Sequence, residues 1–202
     1  MSAARPELFG DGAETISQYV DILASRGIDW GLMGPREGER LWERHILNSI
    51  AVAPLVPAEC SLVDVGSGAG LPGLPLAILR PDLRVTLLES LLRRANFLEL
   101  AVAELGLGDR VRVVRARAEE HPGHYDVVAS RAVAPLPRLL DWCRPLLAEG
   151  GRILALKGST ATQELADAAS LLRRQALAGE VHELPVPGTD DSTWVIEVWP
   201  AR

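Results

Sequence analysis

The chain has 202 residues and a formal net charge of -6, with 48% hydrophobic and 24% charged residues, the composition of a globular protein whose core needs no staple. Its two cysteines, Cys60 and Cys143, stand far apart and outside any Cys/His ligand spacing, so no disulfide framework and no metal site is expected. The first ten residues lack the apolar run of a signal peptide, and no stretch approaches the ~18 apolar residues that span a bilayer, which points to a cytoplasmic protein away from membranes, monomeric by default.

In chain order, Ala13 to Ser25 carries Ile16, Tyr19, Val20 and Leu23 at helical spacing, and after a glycine-rich loop Glu39 to Ala53 reads as a second helix ended by Pro54 and Pro57. From residue 61 strands and helices alternate. Strands are expected at Ser61–Val65, Arg84–Glu89, Val111–Arg115, Tyr125–Ser130 and Arg152–Lys157, the last entered by a turn at Gly150-Gly151. Helices are expected from about Gly73 to Leu79, Leu91 to Leu105, Leu136 to Leu147 and Thr162 to Leu177. Two final strands, Glu180–Val186 and Thr193–Trp199, are joined by a Pro-Gly-Thr-Asp-Asp-Ser hairpin, which makes the last strand antiparallel. The pattern predicts a mostly parallel, seven-stranded α/β sheet with helices on both faces. It forms one domain over 1–202, with a helical extension at 1–58 and a Rossmann-like core at 59–202.

The most informative segment is Asp64-Val-Gly66-Ser-Gly68-Ala-Gly70-Leu-Pro-Gly73, placed between the first strand and a helix. As a dinucleotide fingerprint it fails, because the third glycine of GxGxxG falls on Leu71. The D-x-G-x-G-x-G pattern resembles motif I of class I methyltransferases, whose loop backbone meets the methionine part of S-adenosylmethionine. Glu89, ending the second strand, suits both hydroxyls of a ribose. Arg117-Ala118-Glu119 follows the third strand, where that class contacts adenine.

Arg44-His-Ile-Leu-Asn-Ser49, the Gly-Leu-Pro-Gly73 continuation of motif I, Ser130-Arg-Ala-Val-Ala134 and Leu154-Ala-Leu-Lys-Gly158 occur in this order. With them the chain resembles, over roughly residues 10–200, the bacterial small-subunit ribosomal RNA methyltransferase G family, also called glucose-inhibited division protein B. The resemblance implies methylation of guanine N7 in 16S ribosomal RNA with S-adenosylmethionine as cofactor, and the RNA or the small subunit as partner. It implies cofactor contacts at Gly66, Leu71, Ala118, Glu119 and Arg131, beside Asp64, Gly68, Gly70 and Glu89. It places Arg44, His45, Asn48, Ser49, Arg131 and Lys157 on the substrate side, with Arg131, Asn48, His45 and Lys157 as the catalytic candidates. Asn48 stands where the family commonly has aspartate.

Guanine N7 carries a lone pair and no proton, so its methylation requires no general base, and positioning and electrostatics supply the catalysis. Arg36, Arg40, Arg44 and His45 offer phosphate contacts on the N-terminal extension, despite the acidic overall charge. The alternative is a small-molecule methyltransferase on the same fold, which suits the net charge better and the arginine-bearing helix worse.

Overall fold

The computed structural model describes residues 5–34, 37 and 40–201. Among them, seven runs rich in Val, Leu and Ile pair into one sheet. These are β1 (Ser61–Val65), β2 (Arg84–Leu88), β3 (Val111–Val114), β4 (Tyr125–Arg131), β5 (Leu147–Lys157), β6 (Leu177–Pro185) and β7 (Ser192–Pro200). The strand order is β3-β2-β1-β4-β5-β7-β6. β1 to β5 run parallel, while β7 is antiparallel to both β5 and β6. The direction of winding reverses between β1 and β4, and the crevice at their carboxyl ends is where such sheets bind ligands.

Side chains alternate across the sheet and fill two cores. Leu62, Val85, Leu87, Val111 and Val127 face one cluster, and Val63, Val65, Leu88 and Val128 the other. The first is covered by α1 (Ala13–Ile22), α3 (Gly73–Leu79) and α4 (Leu92–Glu104). Between α1 and α3 lies a π-wound stretch, Leu41–Leu47, which runs into the short α2 (Asn48–Ile50). The N-terminal extension supplies Ile16, Tyr19, Leu23, Leu41, Ile46 and Leu47 to this cluster, all fully buried, so it shares one core with the sheet. The second cluster lies under α5 (Leu136–Cys143), α6 (Ala161–Asp167) and α7 (Ala169–Arg174). No helix of the described residues is long and apolar enough to cross a membrane.

Four local expectations are corrected. The turn expected at Gly150-Gly151 is a bulge inside β5: Tyr125 pairs with Leu147 and Val127 already with Arg152, and a Cβ on Gly151 would lie 2.8 Å from Tyr125 O. The helix expected over Thr162–Leu177 breaks at Ala168 and ends at Arg174, with Leu177 opening β6. The helix from Leu136 tightens at Arg144, because Pro145 has no amide to continue it. The second N-terminal helix is π-wound over most of its length, and its expected start at Glu39 lies outside the described residues.

Phe97 on α4 is fully buried and meets the Trp30 ring edge-on, 5.9 Å between centroids at 61°. Phe97→Ala is expected to cost about 3–5 kcal/mol in chemical denaturation and to red-shift tryptophan emission. An unchanged denaturation midpoint would contradict this packing.

Candidate functional site

The glycine turn after β1 is strapped to its surroundings at three points. Asp64, fully buried on β1, accepts a hydrogen bond from Gly73 N–H through Oδ2 at 3.0 Å. Glu89, which follows β2, accepts from Gly68 N–H through Oε2 at 3.0 Å and from Leu91 N–H through Oε1 at 2.9 Å. The Tyr19 hydroxyl, reaching from α1, donates to Ala69 O at 2.7 Å. Gly66, Gly68 and Gly70 all hold positive φ, at 70°, 58° and 100°, a backbone only glycine adopts without strain. Gly73 needs its missing side chain for a different reason: a Cβ there would lie 2.5 Å from Leu87 Cδ2 and 2.8 Å from Asp64 Oδ2. Leu71 is half-buried, and its N–H closes the turn on Ser67 O at 3.1 Å.

Beside this turn, over the carboxyl ends of β1 to β4, lies a cavity of about 330 Å³. Gly66, Ala118 and Glu119 line it, as does Arg117. Sequence reasoning missed Val65, Leu88, Ser90, Val133, Arg138 and Trp142, which line it too. Val133 sits inside the quoted Ser130–Ala134 segment and was within reach of that signal. Arg138 and Trp142, one turn apart on α5 with the guanidinium 4.9 Å from the ring centroid, were not, because nothing local says which face of α5 turns inward.

Arg131, the last residue of β4, is spent on the N-terminal extension. Its guanidinium donates to Arg44 O (2.9 Å), His45 O (3.3 Å), Ser49 Oγ (3.3 Å) and His45 Nδ1 (2.8 Å). A guanidinium only donates, so the His45 proton sits on Nε2 and points at Glu37 Oε2, 2.7 Å away. Burial holds the imidazole below its usual pKa, against the pull of Glu37, and the bond to His45 in turn lowers the Glu37 carboxyl. Lys157 ends β5 and donates to Ala134 O and to Glu164 on α6, both at 2.8 Å. Glu164 also takes the amide of Leu136. Lys157 thereby fixes the β4–α5 connection that carries Val133.

Arg40, Arg44 and Asn48 line a separate cleft of about 590 Å³, with Glu43, Asp191, Ser192 and Trp194. The cleft shares no lining residue with the cavity at the glycine turn. The structure thus brings together Asp64, Gly66, Gly68, Gly70, Leu71 and Glu89 at the turn, Ala118 and Glu119 in the cavity, and Arg131 with His45 at the end of β4. It leaves Asn48 and Lys157 outside that set, and Arg36 lies outside the described residues. Among the described residues no three His, Cys, Asp or Glu side chains gather as a metal group would require.

Comparison with known proteins places the chain. A family model described as rRNA small subunit methyltransferase G matches residues 12–186. The ribosomal RNA small subunit methyltransferase G of Salinispora arenicola is 48% identical over 207 residues, covering 98% of this chain and 86% of that one. The Thermobifida fusca protein of the same name is 53% identical, covering 86% of this chain and 74% of its own. Among solved structures, the precorrin-6y C5,15-methyltransferase of Geobacter metallireducens superposes with a TM-score of 0.57 at 17% identity, over 76% of this chain and 87% of that one, a likeness of fold.

Burial pushes the Asp64 carboxyl up to about 7 from 3.8, opposed by its bond to Gly73 N–H, and its Oδ1 has no partner among the described residues. The folded protein holds this proton more tightly than the unfolded chain does. The stability it contributes is therefore complete below about pH 4 and fades as pH rises through about 7. Stability measured against Asp64→Asn should fall between about pH 5 and pH 7, by at most about 1.4 kcal/mol per pH unit. A difference that stays flat with pH would refute the raised carboxyl.

Proposed function

We propose that this chain, which belongs to the rRNA small subunit methyltransferase G family, transfers a methyl group from S-adenosylmethionine to N7 of a guanine in 16S ribosomal RNA. The chain is a methyltransferase of class I fold. The observation that carries the cofactor reading is the strapped glycine turn opening onto a cavity at the sheet's switch point.

The residues present fit the group. A Cβ on Gly66 would lie 3.0 Å from Val133 Cγ2, both residues lining the cavity, so the backbone there is bare for a close ligand. Each Glu89 oxygen holds one backbone amide and keeps a lone pair for a ribose hydroxyl. In this reading the Gly66–Gly70 backbone holds the methionine part, Glu89 the ribose, and Ala118 and Glu119 the adenine. Bound S-adenosylmethionine supplies an electrophilic sulfonium methyl. The chain's own residues orient and enclose the reactants. Arg131 holds the 41–50 helical segment against the end of β4, and Lys157 holds the β4–α5 connection. Neither Arg131 nor His45 is asked to take a proton, since N7 has none to give. Arg40 and Arg44 supply phosphate contacts on the rim. The protein works as a monomer in the cytoplasm, with the 1–58 extension and the 59–202 core as one domain.

Labelled methyl from S-adenosylmethionine should appear as 7-methylguanosine at one site in small subunits from cells lacking this protein. Absence of transfer to subunits, precursors and bare RNA, despite tight S-adenosylhomocysteine binding, would instead favour a small-molecule substrate. Arg131→Ala is expected to lower turnover roughly a hundredfold by freeing the 41–50 segment. If turnover and S-adenosylhomocysteine affinity both stay at wild-type values, Arg131 has no part in the site.

A further inference from the structure

A second cleft, of about 460 Å³, opens at the amino ends of the strands, on the far edge of the sheet from the glycine turn. Its lining includes Arg84, Thr86, Arg110, Arg112, His124 and Tyr125, with Asp109 the one carboxylate among the lining residues. The cleft exists because of how the chain crosses from β3 to β4. That crossing holds only the short turn Ala118–Glu120, and no helix among the described residues covers the sheet there. Ser61 pairs with Arg84, Val63 with Thr86, and Thr86 with Arg112, so Arg84 and Arg112 stand on the same face as Val63. Over β4 to β7 that face is closed by α5 to α7, whereas over the amino half of β1 to β3 it is open.

Arg112 is held in place without being neutralised. Its Nε donates to Thr86 Oγ1 at 2.9 Å and its Nη2 to the Tyr125 hydroxyl at 3.0 Å. That hydroxyl is bonded in turn to His121 Nε2 at 2.7 Å. Both acceptors on Arg112 are uncharged, and three of its five N–H donors remain for a ligand. Arg110 instead turns its guanidinium to the other face of the sheet, where it donates to the Ala77 carbonyl on α3, so Arg84 and Arg112 are the cations aimed at the cleft. Among the described residues, Arg84, Arg110 and Arg112 form no ion pair, whereas Arg26, Arg80 and Arg152 pair with Glu104, Asp82 and Glu197. A guanidinium fixed by hydroxyls and left uncompensated suits a phosphate oxygen pair better than it suits solvent.

We propose that this cleft is a second RNA contact, taking the phosphodiester backbone of ribosomal RNA remote from the target nucleotide. The inference rests on the ribosomal RNA reading above. The distance suits a continuous strand: the five residues of β2 separate the two sheet edges by about 17 Å. Arg117, which lines the cofactor cavity, follows Arg112 by five residues along the chain.

The test is the affinity of the full-length protein for small ribosomal subunits lacking the modification, measured across a salt series. The wild type is compared with Arg84→Gln and with Arg84→Gln/Arg112→Gln. Arg84 is exposed and makes no side-chain hydrogen bond among the described residues, so its replacement leaves the fold intact, and S-adenosylhomocysteine affinity serves as the folding control. Each lost contact should weaken binding by roughly twofold to fivefold and reduce the slope of log affinity against log salt by about 0.7. Unchanged affinity and slope in the double variant, with wild-type binding intact, would overturn the second contact alone. If the wild type itself fails to bind subunits, the RNA reading falls, and this site with it.

Discussion

The structure turns on a pair of carboxylate straps. Two carboxylates at the ends of adjacent parallel strands, Asp64 and Glu89, grip the amides of Gly73 and Gly68 and hold the intervening backbone in a shape that only glycine tolerates. The cost is a buried acid. Asp64 is out of water with one oxygen unpartnered among the described residues, which raises its pKa and makes it sensitive to pH. A position stabilised by burial alone would have held a leucine, as Leu87 does beside it.

The third strap explains why the N-terminal extension belongs to the site. Tyr19 reaches from α1 to Ala69 O and is fully buried there. Arg131 reaches from β4 to the carbonyls of Arg44 and His45. The extension is therefore tied to the carboxyl edge of the sheet on both sides of the switch point, by one hydroxyl and one guanidinium. Lys157 and Glu164 do the same for the β4–α5 connection. Arg131 and Lys157 are thus partly spent on holding backbone, and this arrangement fits a reaction that needs orientation more than proton transfer.

The strands and the antiparallel end of the sheet were legible from β-branched runs and the Gly188-containing hairpin, because these are local signals. The bulge at Gly150-Gly151 was not, since a doubled glycine marks a turn and a bulge alike, and only the pairing of β4 with β5 decides. At the site, Asp64, the glycines and Glu89 were legible because backbone geometry demands those residue types at those positions. Tyr19 was visible only as an apolar-stripe residue, its hydroxyl bond to residue 69 being a tertiary fact. The same holds for Arg131 and Lys157. Their presence was read from sequence, but what they touch depends on where two other elements pack.

The most direct measurement is a crystal structure of the protein with S-adenosylhomocysteine. The expected placement has the amino-acid part against the Gly66–Gly70 backbone, both ribose hydroxyls on Glu89 and the adenine between Ala118 and Trp142, with the Tyr19 and Gly73 straps unchanged. A ligand seated instead in the Arg40–Trp194 cleft, or a glycine turn released from Asp64 and Glu89, would contradict it.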